Sequence, residues 1–123
     1  MAWDTEAAAH LGGVNEVTVV VPAPGRPAVR APIWIVTVDG ALYVRSWKGE
    51  AGIWYRRARR YARGSIVAAG REHPVRFVPA AEPGLDARID EEYLRKYGRN
   101  PYAQAMTQPP AAGTTLRLEP AGP

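Results

Sequence analysis

Two cations, a hydroxyl and a glycine crowd into five residues, Arg45-Ser46-Trp47-Lys48-Gly49, directly after the alternating run Ala41-Leu42-Tyr43-Val44. Donors that converge from side chains and main chain at the end of a strand suit an anion, and a glycine lets the backbone come close to it. Trp47, with Trp54 and Tyr55 a short loop further on, adds flat faces that suit a ring. The chemistry this pattern offers is the binding of a planar ligand carrying phosphate or carboxylate. No nucleophile, base and acid stand together in it, so no catalytic residue is assigned.

Charge supports the same partner class. The chain carries 16 basic and 12 acidic residues, a net charge of +4. Between positions 45 and 63, seven basic residues (Arg45, Lys48, Arg56, Arg57, Arg59, Arg60, Arg63) face one acid, Glu50. Such an excess speaks of anionic partners rather than of fold. With no cysteine and two histidines, His10 and His73, disulfides and thiolate metal sites are excluded, and no metal is expected. No apolar run approaches the ~20 residues of a membrane helix. The N-terminus lacks the basic and apolar segments of a secretory signal, so a cytoplasmic setting is expected.

The 123 residues form one domain on length. A helix within residues 1–13 is capped by Asp4 or Thr5 and stopped by Gly12-Gly13. Glu16 to Val21 is a strand, and Pro22 to Pro27, with three prolines and a glycine, is a loop. Ile33 to Val38 is apolar on both faces, as for a strand covered on both sides. Asp39-Gly40 is a hairpin turn, and in the next strand, Ala41 to Ser46, Leu42 and Val44 oppose Tyr43, Arg45 and Trp47.

Gly52 to Arg63 reads as a helix, with Trp54, Tyr55, Ala58, Tyr61 and Ala62 on one arc, all five arginines on the other, and Gly64 as its end. Ser65 to Ala69 and Pro74 to Val78 form a hairpin. Asp86 to Tyr97 is a helix with an apolar stripe of Ile89, Tyr93 and Tyr97, supported by Glu91–Arg95 and Glu92–Lys96 pairs. Asn100 to Pro110 is irregular, Thr114 to Glu119 is a last strand, and residues 120–123 are a frayed tail.

About six antiparallel strands and two to three helices make an α+β, mainly β fold. A small Greek-key-like barrel with helices outside it would bury both faces of the Ile33–Val38 strand and limit exposed edges.

Three segments, PIWIVTVDGALYVRSWKG (32–49), WYRRA…ARGSI (54–66) and YLRKYG…TTLRLEP (93–120), resemble an uncharacterised bacterial family, a domain of unknown function. More distantly, the strand, Asp-Gly turn, strand, Ser-x-Lys-Gly loop and Trp-Tyr helix start resemble the deazaflavin-dependent nitroreductases. These belong to the FMN-binding split barrel group, with the pyridoxamine-phosphate oxidases. The resemblance implies a single split-barrel domain, residues 1–123, in a homodimer. It implies FMN or an 8-hydroxy-5-deazaflavin coenzyme, held by Ser46, Lys48 and Gly49 at the phosphate. Arg45 and Trp47 belong to the same loop, Trp54 and Tyr55 lie by the ring, and Arg30 lies where basic residues hold the tail. Departures are Arg56-Arg57 where those enzymes carry Asn-Leu, Ala62-Arg63-Gly64 in place of their Ala-Asn-Pro turn, and a shorter loop before Trp54.

The leading expectation is an oxidoreductase that transfers a hydride to a small organic acceptor. An alternative is a non-redox binding or biosynthetic accessory protein on the same barrel. A third is a nucleic-acid module using the Arg56–Arg63 face, disfavoured because no nucleic-acid motif accompanies it and such faces are commonly just solvated. Trp34 reads as core, Tyr93, Tyr97 and Tyr102 as core or interface, and His10 and His73 as surface residues.

Overall fold

The computed structural model describes residues 3–121. Asp4 caps the first helix, α1 (Thr5–Gly13), its carboxylate accepting from the Ala7 N–H at 2.8 Å. The chain then forms β1 (Val17–Ala23), β2 (Arg26–Ile33), β3 (Ile35–Val38) and β4 (Ala41–Val44), a short 3₁₀ turn (Gly49–Ala51) and α2 (Ile53–Tyr61). β5 (Arg63–Ala68), β6 (Arg71–Pro79), α3 (Leu85–Tyr97) and β7 (Leu116–Pro120) complete it. Asp39 and Gly40, both at positive φ (51° and 79°), make the tight β3–β4 turn.

All strand pairs are antiparallel, in the order β2-β1-β5-β6-β7-β4-β3. The two edges, β2 and β3, follow each other in the chain with only Trp34 between them. Their ends therefore lie within about 7 Å, the span of two peptide units, and the sheet must curl on itself. The result is the expected split barrel, with seven strands rather than six.

The extra strand, β2, hid behind its prolines. At an edge the missing N–H groups of Pro27 and Pro32 cost no ladder bond, so the segment pairs with β1 from Val17↔Ile33 to Ala23↔Arg26. α2 also differs: it ends at Tyr61, and Ala62 at φ 61° supplies the left-handed cap expected of Gly64. Arg63 opens β5 instead and pairs with Arg76. Pro120 lies in β7, and the Ala121 N–H donates to Pro74 O, so positions 120 and 121 are ordered; 122 and 123 lie outside the described residues.

Alternation along β3 and β4 feeds two cores. Ile35, Leu42 and Val44 join Val19, Val21, Ile66, Phe77 and Leu118 inside the barrel. Val36, Val38 and Tyr43 point the other way and meet the α3 stripe Ile89, Tyr93 and Tyr97. Of the expected α3 pairs, Glu92 goes to Arg95 at 2.7 Å, while Lys96 donates to Ile35 O.

Candidate functional site

β4 ends by sending Arg45 inward. Its side chain is fully buried, against the expectation of a cation offered to a phosphate. Nε donates to Thr115 Oγ1 at 2.9 Å, and Nη1 donates to Asp90 Oδ1 at 2.5 Å and Met106 O at 2.8 Å. Nη2 reaches Asp86 Oδ1 at 3.4 Å. A buried guanidinium is tolerable only when its donors are satisfied, and here α3 and the segment after it satisfy them. Arg45 is thus an internal brace, seated over the ring of Tyr93. The Tyr93 hydroxyl beneath it finds no partner, and burial above all pushes its pKa upward.

The next four residues turn around a second fixed point. The Ser46 N–H donates to Thr114 Oγ1 at 2.8 Å, yet the buried Ser46 hydroxyl has no partner among the described residues. Gly52 closes over it: a Cβ there would stand 2.5 Å from Ser46 Oγ. Gly49 (φ 64°) is fixed by protein rather than by a ligand, because a Cβ would lie 2.5 Å from Pro110 Cβ. Trp47 is 54% exposed and meets the edge of Tyr102 at 6.0 Å. Lys48 is exposed and makes no ion pair among the described residues.

These residues rim a cleft of about 740 Å³, a size that suits a small-molecule ligand. Arg45, Ser46, Trp47, Lys48 and Trp54 line it; Arg30, Gly49 and Tyr55 do not. Arg30 is exposed on the edge strand β2. Tyr55 packs into the barrel, its hydroxyl accepting from Arg59 Nη1 at 3.0 Å. Trp54 packs mostly into the core against Phe77 and shows the cleft one side.

Sequence reasoning missed the opposite wall. Val29, Ala31 and Pro32 belong to the overlooked strand, and Tyr102 and Met106 to the irregular segment. Trp34, read as core, is half-buried against the second core, where it stacks on Tyr97 at 4.1 Å and 6°, and it also lines the cleft from the barrel's corner. Read inside the Ile33–Val38 strand, it carried no signal of the break between β2 and β3.

The arginine face of α2 is partly committed. Arg57 donates to Val21 O and Pro27 O, Arg59 to the Tyr55 hydroxyl, and Arg60 lies over Tyr61. The two histidines are not isolated surface residues: their rings lie 5.8 Å apart between α1 and the β5–β6 hairpin. Burial first, then Arg71 and His10, lowers the pKa of His73, whose Nε2 is buried and unpaired. No helix among the described residues is long and apolar enough to cross a membrane.

A sequence model of a family described as "Uncharacterized protein conserved in bacteria (DUF2255)" matches residues 9–118. No curated protein matches. Among solved structures, the chain is similar to HutZ, the heme storage protein of Vibrio cholerae, with TM-score 0.71, 10% identity, and coverage of 100% of this chain and 93% of that one. A FAD-binding protein of Mesorhizobium loti gives TM-score 0.67 at 16% identity, covering 95% and 87%. An F420 reductase gives TM-score 0.60 at 12% identity, covering 99% and 97%. At these identities the likeness is one of fold, the split barrel.

Proposed function

We propose that this chain, which belongs to the DUF2255 family of bacterial proteins, binds a flat anionic ring of the flavin or deazaflavin type in the cleft beside Ser46. The single observation that carries the reading is the Ser46 hydroxyl, buried without a partner in the wall of an aromatic-sided cleft. A buried unpaired hydroxyl is costly, and a ligand oxygen would satisfy it once the Gly49–Gly52 turn that covers it shifts aside. Lys48 at the rim adds a charge-assisted donor. Trp34, Trp47 and Trp54 supply ring walls, and Met106 and Val29 keep water out. Arg30 is left for a ligand tail that runs past the cleft onto β2.

Proteins of similar fold support this choice: one neighbour is described as FAD-binding and another as an F420 reductase. A bound ring of this type would supply hydride transfer to a small organic acceptor. The protein's own part is orientation, anion binding and exclusion of water. Cytoplasmic residence belongs to the same reading.

Trp47, Ile53 and Tyr102, at 54%, 57% and 60% exposed, gather at the cleft mouth. Exposed apolar clusters of this kind mark interaction surfaces, so the proposed assembly is a homodimer that covers the mouth.

A second reading, non-redox binding on the same barrel, is favoured by one observation. With Arg45 tied to Asp86 and Asp90, Lys48 is the only cation lining the cleft without a partner among the described residues. An apolar ring with few charges would suit such walls, and the heme storage neighbour has the same fold.

Titrating the purified protein with FMN, FAD and a deazaflavin, with flavin fluorescence and absorbance as readouts, tests the binding claim. Saturable quenching is expected for one of them. Binding without turnover of any acceptor removes the redox role, and no binding by any of the three overturns the flavin reading; saturable binding of heme or another apolar ring would then select the second.

A further inference from the structure

A second cleft, about 540 Å³, opens at the C-terminal end of α3 and shares Trp34 and Glu16 with the first. Its chemistry centres on Lys96, one of only two lysines in the chain. Lys96 is half-buried; Nζ donates to Ile35 O at 2.7 Å and lies over the Tyr97 ring at 5.1 Å. Among the described residues no carboxylate comes within ion-pair distance of it. Glu92, one turn earlier, is held by Arg95 through three contacts of 2.7–3.0 Å. An ammonium so placed loses solvation and gains no counter-charge, so its neutral form is favoured. Burial, then the charge of Arg95, brings its pKa down to about 8, with Glu92 acting weakly the other way. Arg99 and Asn100 on the far side, and Glu16 and Asn15 ahead of β1, are the remaining polar groups of the cleft. Arg99, exposed and in no ion pair among the described residues, offers a cation to an anionic ligand, with Glu16 the one carboxylate of the cleft not held by an arginine among the described residues.

We propose that Lys96 is an acyl-acceptor site: its amine takes the acyl group of a small acyl phosphate that Arg99 draws into the second cleft. The step balances without a redox partner. The neutral Nζ lone pair forms a bond to the acyl carbon, and the bond from that carbon to the phosphate oxygen breaks. Phosphate leaves with the electron pair, and the nitrogen gives a proton to water. The resulting amide is uncharged but keeps one N–H for Ile35 O. The acyl group lies toward Trp34, the wall common to both clefts. The inference does not depend on the identity of the main cleft's ligand.

Acetyl phosphate is the probe, used on the whole chain at pH 8, with peptide mass spectrometry as readout. Lys48, exposed and unpaired, is an internal control in the same molecule. The less solvated, partly neutral amine of Lys96 should carry roughly ten-fold more acetyl than that of Lys48. Lys96→Arg should lose that label and keep the label at Lys48, with an unchanged melting curve. Arg99→Ala should slow labelling by acetyl phosphate several-fold, but not labelling by an uncharged acetyl ester. Equal or greater acetylation at Lys48 overturns the acceptor assignment. Equal slowing with both donors, or none with either, overturns the role of Arg99.

Discussion

At the scale of single residues, one hydroxyl separates a ligand site from mere packing. Ser46 Oγ is buried and unpaired, so two physical roles make opposite predictions for its removal. If Ser46 only fills space, Ser46→Ala leaves ligand binding alone. If it serves a ligand, the variant folds as well as the parent or slightly better, since an unsatisfied group is gone, yet binds the ring about 1 kcal/mol more weakly, roughly five-fold in Kd. Chemical denaturation and a flavin titration on the same preparation separate the two. Lys48→Ala should likewise weaken binding by about 1–3 kcal/mol, toward the lower end because the ammonium is solvated, and unchanged affinity would remove Lys48 from the site. Sequence reading singled out Ser46, Trp47, Lys48 and Trp54, which line the cleft, because donor-rich residues at a strand end are a local pattern. It mistook Arg45, whose partners Asp86 and Asp90 lie 41 and 45 positions away. Local composition carries no trace of so distant a pairing. It mistook the reason for Gly49 too, since Pro110 lies further away still in sequence.

At the scale of elements, Arg45 ties β4 to α3 and so sets the floor of the main cleft. Its two carboxylates are not equivalent. Asp90 lies 2.5 Å away with a side chain 35% exposed, Asp86 3.4 Å away and 62% exposed. A closer, drier partner carries more of the interaction, while exposed pairs contribute little. Asp90→Asn should therefore cost about 2–3 kcal/mol of unfolding free energy in urea, and Asp86→Asn under about 1 kcal/mol. Similar small losses from both would mean that the buried guanidinium does not depend on Asp90. The hairpin turns and the α3 stripe were legible because Asp-Gly and an i, i+4, i+8 apolar spacing each have a single sensible reading. β2 was not, because prolines forbid a central strand but allow an edge one, and which strand is an edge is a property of the whole sheet. The wall supplied by Tyr102 and Met106 was invisible for a similar reason: an irregular segment has no period to read.

At the scale of the whole molecule, the perturbed groups shape a stability profile that peaks in mild alkali. Lys96 carries a pKa lowered from 10.5 to about 8. Below about pH 8 both states hold the proton and the burial cost is present in full; from there to about 10.5 the unfolded chain binds more protons, so stability rises with pH. Tyr97 acts in the other direction, raised from 10.0 to about 12, mainly by burial, so the stability it supplies is present below about pH 10 and lost as pH climbs through 12. His73, lowered from 6.5, makes stability fall as pH drops below 6.5, where the unfolded chain takes up the proton first. Thermal melts should therefore show the midpoint rising from pH 8 to about 10 in the parent but not in Lys96→Met; a midpoint that falls across that window would contradict the assignment. The barrel itself was readable from the strand count and from the two-sided apolar strand, whereas its closure at Trp34 emerges only once β2 and β3 are seen as opposite edges. That corner is where the central claim is best tested. The chain has four tryptophans; three of them, Trp34, Trp47 and Trp54, line the main cleft, and the fourth, Trp3, donates its indole N–H to Leu118 O elsewhere on the barrel. In a ¹⁵N NMR titration with FMN or a deazaflavin, the indole signals of Trp34, Trp47 and Trp54 and the amides of Ser46 and Lys48 should shift together while Trp3 stays still. Shifts confined to the arginines of α2, or no shift at saturating ligand, would contradict the account.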